Sequence, residues 1–210
     1  MPTPSTLTLF AGIALLFAAS PGPNFIFVLS RSLSYGRKEG FFSVLGIGLG
    51  ALVHTAAAVL GISALLETSA LAFSVVKYAG AAYLIYLGLK TLLQKSVEAE
   101  PETARAPSSP WQAVRQGFVT MILNPKAALY YFSFLPQFVD SSLGTATLQL
   151  AVFGLMQGMA AVSVYALVAL FAGSVGKLFK RHSGFRAAQR TLTGIIYLLL
   201  GASIAVSGRK

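Results

Sequence analysis

Six runs of mostly apolar residues, at 7–29, 41–64, 70–92, 116–136, 146–174 and 191–207, alternate with short polar segments along this 210-residue chain. A helix needs about 20 such residues to cross a hydrocarbon core about 30 Å thick. The pattern therefore predicts an all-α polytopic membrane protein with six transmembrane helices. Arg31–Gly40 is polar and basic, and 94–110 holds Glu98, Glu100, Glu102 and three prolines, a composition that reads as a flexible linker. The expected organisation is a first three-helix unit at 1–93, a cytoplasmic linker at 94–115 and a second three-helix unit at 116–210. An apolar stretch precedes Ala18-Ala19-Ser20, but residues 1–20 carry no Lys or Arg and the run stays apolar to Leu29. It is expected to be a retained span and not a cleaved leader, which would need a basic start.

Two three-span units invite a search for a repeat. Ser20-Pro21-Gly22-Pro23-Asn24 in span 1 matches Asn124-Pro125-Lys126 in span 4. Val44-Leu45-Gly46 with Gly50 matches Val152-Phe153-Gly154 with Gly158, and Gly80-Ala81-Ala82-Tyr83-Leu84 matches Gly194-Ile195-Ile196-Tyr197-Leu198. The three matches keep their order. Three spans per unit turn the second unit upside down, which is the inverted-repeat plan of many secondary transporters, whose site lies near the midplane where the repeats meet. The glycine pairs also serve close helix packing.

Composition supports the membrane reading, and charge orients it. The chain is 55% hydrophobic and 10% charged with a mean hydropathy of +0.72, against about 25% charged in soluble domains. The formal net charge is +10, but the basic residues lie between apolar runs, which fits anionic lipid and not nucleic acid. Twelve Lys and Arg fall in the first, third and fifth connections, while the opposite side has Arg209 and Lys210. Both termini are thus expected outside the cytoplasm. With no cysteine and two histidines, His54 and His182, no disulfide, thiolate or multi-histidine metal site is expected, and no cofactor.

The chemistry at membrane depth is sparse. Proline inside a helix removes a hydrogen bond, and such a break survives in a bilayer only where protein or a wet cavity satisfies the freed groups. Ser20-Pro21 and Asn124-Pro125 each read as an N-cap followed by proline at the first helical position, starting half-helices whose positive ends, with Lys126, suit a carboxylate. Lys126 lies about 15 Å from the cytoplasmic surface along a helix, too deep to snorkel easily, so it is expected to face a partner or cavity. Lys77 is closer to its interface and is expected to be structural. His54 is either a satisfied core histidine or a proton carrier. All six carboxylates fall in expected loops, so a substrate ammonium would be held by carbonyls at half-helix ends, by Asn24 or Asn124, or by an aromatic face such as Tyr130. A cationic side chain would lack a counter-ion there, which favours neutral amino acids.

In these residues, together with Lys77-Tyr78-Ala79-Gly80-Ala81-Ala82-Tyr83-Leu84 and Phe134-Leu135-Pro136-Gln137-Phe138, the chain resembles the LysE/RhtB family of bacterial amino-acid exporters. The resemblance covers nearly everything except the linker. It implies an inner-membrane location and outward transport of amino acids coupled to the proton gradient, and it leans toward the homoserine/threonine branch. The candidate substrate-binding residues are Ser20, Pro21, Gly22, Pro23, Asn24, Asn124, Pro125, Lys126 and Tyr130, with His54 for proton coupling. The expected partners are a small amino-acid substrate and a bilayer containing anionic lipid, with a homodimer left open. Export of basic amino acids or another small solute is the alternative. An intramembrane enzyme would need a nucleophile and base at depth, for which Ser20 with Lys126 is the suggestive pair. A channel or scaffold is a further class, distinguished by unsaturable conductance or by indifference to loss of Lys126.

Overall fold

The structure, a computed structural model, describes residues 2–62, 70–93 and 109–172 and single positions between 174 and 206. Among these residues it is wholly helical. Helix α1 (Pro4–Ala19) starts with Pro4 in its first turn and Thr3 Oγ1 accepting the Thr6 N–H at 3.3 Å, which satisfies one of the donors a helix start leaves over. It stops at Ser20, and α2 (Pro23–Tyr35) leaves at 55° to it. Two prolines within three residues withhold the N–H groups that would continue the ladder.

Gly36 alone connects α2 to α3 (Arg37–Ala57), at φ 91, a left-handed conformation that glycine adopts without a Cβ penalty. Helix α3 runs on as a π-helical turn, Ala58–Ile62. Next come α4 (Ala70–Leu93), α5 (Pro110–Ile122) and α6 (Pro125–Leu129), then a π-helical turn, Tyr130–Phe134, and 3-10 turns at Leu135–Phe138 and Ser141–Leu143. Helix α7 (Ala146–Leu170) follows, its start held by Gln149, which donates to the carbonyls of Asp140 and Gly144 at 2.8 and 3.2 Å.

Among the described residues two helical stretches are long and apolar enough to cross a membrane, Arg37–Ile62 and Ala146–Leu170, and the bent pair α1–α2 makes a third if it is one span. Helix α4 occupies the expected third run. The fourth run differs from expectation: its helix begins at Pro110, capped by Ser109 Oγ at 3.2 Å from the Gln112 N–H, and residues 109–115 are therefore not linker in conformation. The segment 31–40 is also helical apart from Gly36, because Arg31 and Glu39 bury their charges against each other instead of facing water. Residues 94–108, the charged residues of the 177–190 segment, the Lys77 side chain and about half of the sixth run lie outside the described residues.

Among the described residues the interior mixes aromatic, aliphatic, small and polar side chains, and the exterior is largely aliphatic. Phe10, Tyr130, Tyr131 and Phe153 are fully buried alongside Ser43, Gln149 and Lys126, whereas Leu9, Leu60, Leu71, Leu123 and Met159 are exposed. Lipid is as apolar as leucine, so leucine gains nothing by leaving it, and close packing and hydrogen bonds hold the helices together. Gly46 of α3 faces the backbone of Val114 and Phe118 on α5, and Gly117 of α5 faces the Ser43 carbonyl. The glycine pairs do pack, but not reciprocally: Gly46 and Gly50 face α5, while Gly154 and Gly158 face Thr55 and Ala51 of α3.

A Cβ at Gly46 would collide with the main chain of Val114, which cannot swing aside. Gly46→Ala is therefore expected to destabilise the folded protein by about 1–3 kcal/mol through overpacking. Gly12, with nothing within 4 Å of a built Cβ, should accept alanine without loss. Thermal unfolding of the two variants in detergent, side by side, checks this.

Candidate functional site

Helix α1 ends in a cluster of oxygens. The carbonyls near a helix C-terminus lack intrahelical donors, and the proline break prevents the chain from supplying them. A residue 106 positions away does so. The Lys126 ammonium, on α6, donates to the carbonyls of Phe17 and Ser20, each at 3.0 Å, and to Ser20 Oγ at 2.6 Å. An ammonium has three protons, and each has an oxygen. The Phe17 ring adds its face, with Nζ 4.4 Å from the centroid, a cation–π contact. Lys126 is 6% exposed and Ser20 5%, so the whole arrangement is sealed from solvent.

Asn124 sets up this contact locally. Its side-chain oxygen accepts the Lys126 N–H at 3.0 Å, capping α6 with Pro125 at the first position, as the sequence predicts. The corresponding expectation at Ser20-Pro21 needs correction. Helix α2 starts two residues later, with Gly22 as its N-cap and Pro23 at its first position. Ser20 closes α1, donating from Oγ to the Phe17 carbonyl at 2.7 Å. Ser20 is thus an acceptor for Lys126 and not the head of a half-helix. The carboxylate site expected from two helix N-termini plus Lys126 is in this conformation a cation held by a helix C-terminus.

The second break is tied in the opposite direction. Asn24 Nδ2 of α2 donates to Met121 Sδ at 3.0 Å. His54 of α3 meets the Met121 carbonyl through Nε2 at 3.1 Å. A carbonyl only accepts, so Nε2 carries the hydrogen and Nδ1 is left with the lone pair. The imidazole stacks on Tyr131 at 5.4 Å. Each broken span therefore sends a polar side chain to the terminal turn before the other's break: Lys126 to the end of α1, and Asn24 to the end of α5.

The candidate residues divide accordingly. Ser20, Gly22, Asn124, Pro125 and Lys126 meet at the first break; Gly22 matters because a Cβ there would lie 3.2 Å from Lys126 Cδ and 3.4 Å from its Nζ. Asn24 and His54 meet at Met121. Pro21 and Pro23 shape the break without a contact of their own to Lys126 among those described here. Tyr130 is fully buried and packs against Phe17, the ring centroids 4.0 Å apart and the planes tilted by 37°. Sequence reasoning missed Phe17, whose carbonyl is invisible in a side-chain pattern, and Met121, which reads as ordinary apolar filling. It also missed Gln157, buried on α7, although an amide inside an apolar run is a signal in itself. The buried Arg31–Glu39 pair, 3.4 Å apart, lies in a segment whose polar composition predicts a loop.

Ser20 and Lys126 are close enough for a serine–lysine catalytic pair, but the protons point the wrong way. The Ser20 hydroxyl directs its proton to the Phe17 carbonyl and not to Lys126 Nζ, whereas a serine nucleophile must hand its proton to the base. What the arrangement does is hold a primary ammonium on three oxygens. Two shallow grooves of about 430 and 440 Å³ lie elsewhere, one lined by Tyr86, Leu89, Lys90 and Leu93 and the other by Phe27, Arg115, Gln116, Val119 and Thr120.

A family model described as LysE type translocator matches residues 15–208. The chain is 31% identical over 210 residues to the uncharacterized membrane protein YrhP of Bacillus subtilis (strain 168), covering 96% of this chain and 99% of that one. It is 29% identical over 200 residues to a leucine efflux protein of Klebsiella pneumoniae, covering 95% and 93%. It is 35% identical over 141 residues to a leucine efflux protein of Enterobacter sp. (strain 638), covering 66% and 67%. No solved structure matches it.

Replacing Asn124 by alanine removes the cap of α6 and the acceptor for the Lys126 N–H. A lost N-cap costs about 1 kcal/mol. Asn124→Ala should lower the unfolding midpoint correspondingly, and Asn124→Asp, which keeps the accepting oxygen, should restore most of it.

Proposed function

The chain belongs to the LysE type translocator family, and we propose that within it the protein is a secondary exporter of small neutral amino acids across the bacterial inner membrane. It is a translocator and not an enzyme. The observation that carries the proposal is the sealed ammonium of Lys126 at the crossing of two broken helices. A charge held at membrane depth is costly unless it serves a pathway, and breaks at matched positions are where transporters of this plan bind substrate. In the proposed cycle the substrate lies between the breaks with its carboxylate against Lys126, and access alternates between the two faces.

The aliphatic side chain of leucine is the favoured cargo, because two of the relatives are named leucine efflux proteins. The second reading, a homoserine- or threonine-like cargo, rests on the sequence resemblance at His54 and the Ala79–Leu84 stretch. The proposed architecture is six spans as two inverted three-helix repeats, with both termini outside and the basic loops against anionic cytoplasmic lipid. Proton coupling is assigned to His54, whose Nδ1 keeps a lone pair while Nε2 holds the Met121 carbonyl.

Proteoliposomes loaded with a mixture of amino acids test the cargo and the coupling together. Selective, saturable loss of leucine and its aliphatic neighbours, accelerated by a pH gradient, is expected; release that is unselective would sink the exporter reading. Lys126→Ala, inserted and monodisperse, should retain under about a tenth of the wild-type flux, since one lost charge-assisted contact is worth about 1.5–3 kcal/mol. In His54→Gln the amide N–H can still reach the Met121 carbonyl but cannot titrate. That variant is expected to keep downhill efflux and lose its response to the pH gradient.

A further inference from the structure

We propose that the end of α1 is a receptor for any primary ammonium, that Lys126 occupies it as a tethered stand-in while no cargo is bound, and that the cargo's own α-ammonium replaces Lys126 there. The substrate chemistry rests on the exporter reading above; the receptor itself does not.

The receptor is complete without reference to the lysine's backbone. Two carbonyl oxygens, one hydroxyl oxygen and an aromatic face surround a single –NH3+ group at 2.6–3.0 Å and 4.4 Å. An amino acid presents the same group with the same three protons. Emptied, these buried oxygens would each lose a partner, so the site favours a cation at every stage of the cycle. Ser20 Oγ is oriented for this role, because its own proton is committed to the Phe17 carbonyl at 2.7 Å and its lone pairs face Nζ.

Charge balance explains why the exchange suits a zwitterion. When the α-ammonium enters, Lys126 withdraws and pairs with the cargo's carboxylate. The buried charge is then one positive unit before and after loading. Gly22 lets the stem lie close to the break, since a Cβ there would come within 3.2 Å of Lys126 Cδ and 3.4 Å of its Nζ. A simple alkylamine would bring a second positive charge with nothing to neutralise the displaced lysine. Two cations within a few ångströms in a desolvated site repel strongly, so the wild-type protein rejects amines even though the receptor recognises them.

This predicts an inversion of specificity. Removing the tethered cation should lose the amino acid and admit the amine. The test measures binding of isoamylamine, which is leucine without its carboxylate, to purified wild-type, Lys126→Ala and Lys126→Ala/Ser20→Ala protein by scintillation proximity. It also measures leucine efflux from wild-type proteoliposomes. Lys126→Ala should bind isoamylamine on the order of tenfold more tightly than wild type, and the added Ser20→Ala should reverse most of that gain, as loss of one acceptor predicts.

A folded Lys126→Ala that binds the amine no better than wild type overturns the receptor while leaving the exporter reading intact if wild type moves leucine. A gain in amine binding without any wild-type amino-acid efflux keeps the receptor and removes the exporter reading. If Lys126→Ala is monodisperse only when methylammonium is present during purification, the free cation is filling the vacated site and the proposal stands. If it aggregates with and without methylammonium, the proposal fails.

Discussion

A helix interrupted inside a bilayer exposes carbonyl oxygens to a medium that cannot solvate them, and this cost organises the protein around one contact. The Lys126 ammonium satisfies the end of α1 from a distant part of the chain. Neither partner would be stable alone: the carbonyls need a donor, and a lysine at this depth needs oxygen ligands. Gly22, Asn124 and Pro125 serve the same contact, by leaving space for the stem, by capping α6 and by starting it where the side chain can reach. The aromatic floor of Phe17 and Tyr130 keeps water out and supplies a face to the cation.

A second contact of the same kind runs the other way, from Asn24 to Met121, with His54 holding the carbonyl beside it. The two breaks are therefore fastened by side chains exchanged between them, one strong and charged, the other weak and neutral. An ammonium with three oxygen partners resists separation more than an amide on a thioether, because charge-assisted hydrogen bonds are about twice as strong as neutral ones. The asymmetry assigns different tasks to the two halves of a locally similar pattern.

Much of this is legible in the sequence, and what is not has a physical cause. Proline next to Asn124 announces a helix start, and Lys126 in an apolar run announces a partner. The partner itself is not legible, because side-chain patterns show the cation but not the main-chain oxygens that receive it. Ser20-Pro21 looks like Asn124-Pro125 on paper, yet a second proline at 23 moves the helix start and converts Ser20 from a cap into a ligand. Runs of apolar residues find helices 37–57, 70–93 and 146–170 well, since lipid imposes a simple rule on exteriors. They fail at 31–40 and 110–115, where polar residues are helical because a buried ion pair and a capped proline start satisfy them.

The single-residue corner at Gly36 gives the architecture a mechanical property. Helices α2 and α3 meet there with no slack, so neither can tilt without loading the other. Pro23 lies about 20 Å from the corner along one arm and His54 about 27 Å along the other, at 1.5 Å per residue. A swing of about 10° in this elbow would carry the two ends by about 3 and 5 Å on that rise, more than a hydrogen bond can follow. The corner thus fixes two unequal lever arms: a change in its angle displaces His54, beside the second break, further than it displaces the residues after the first.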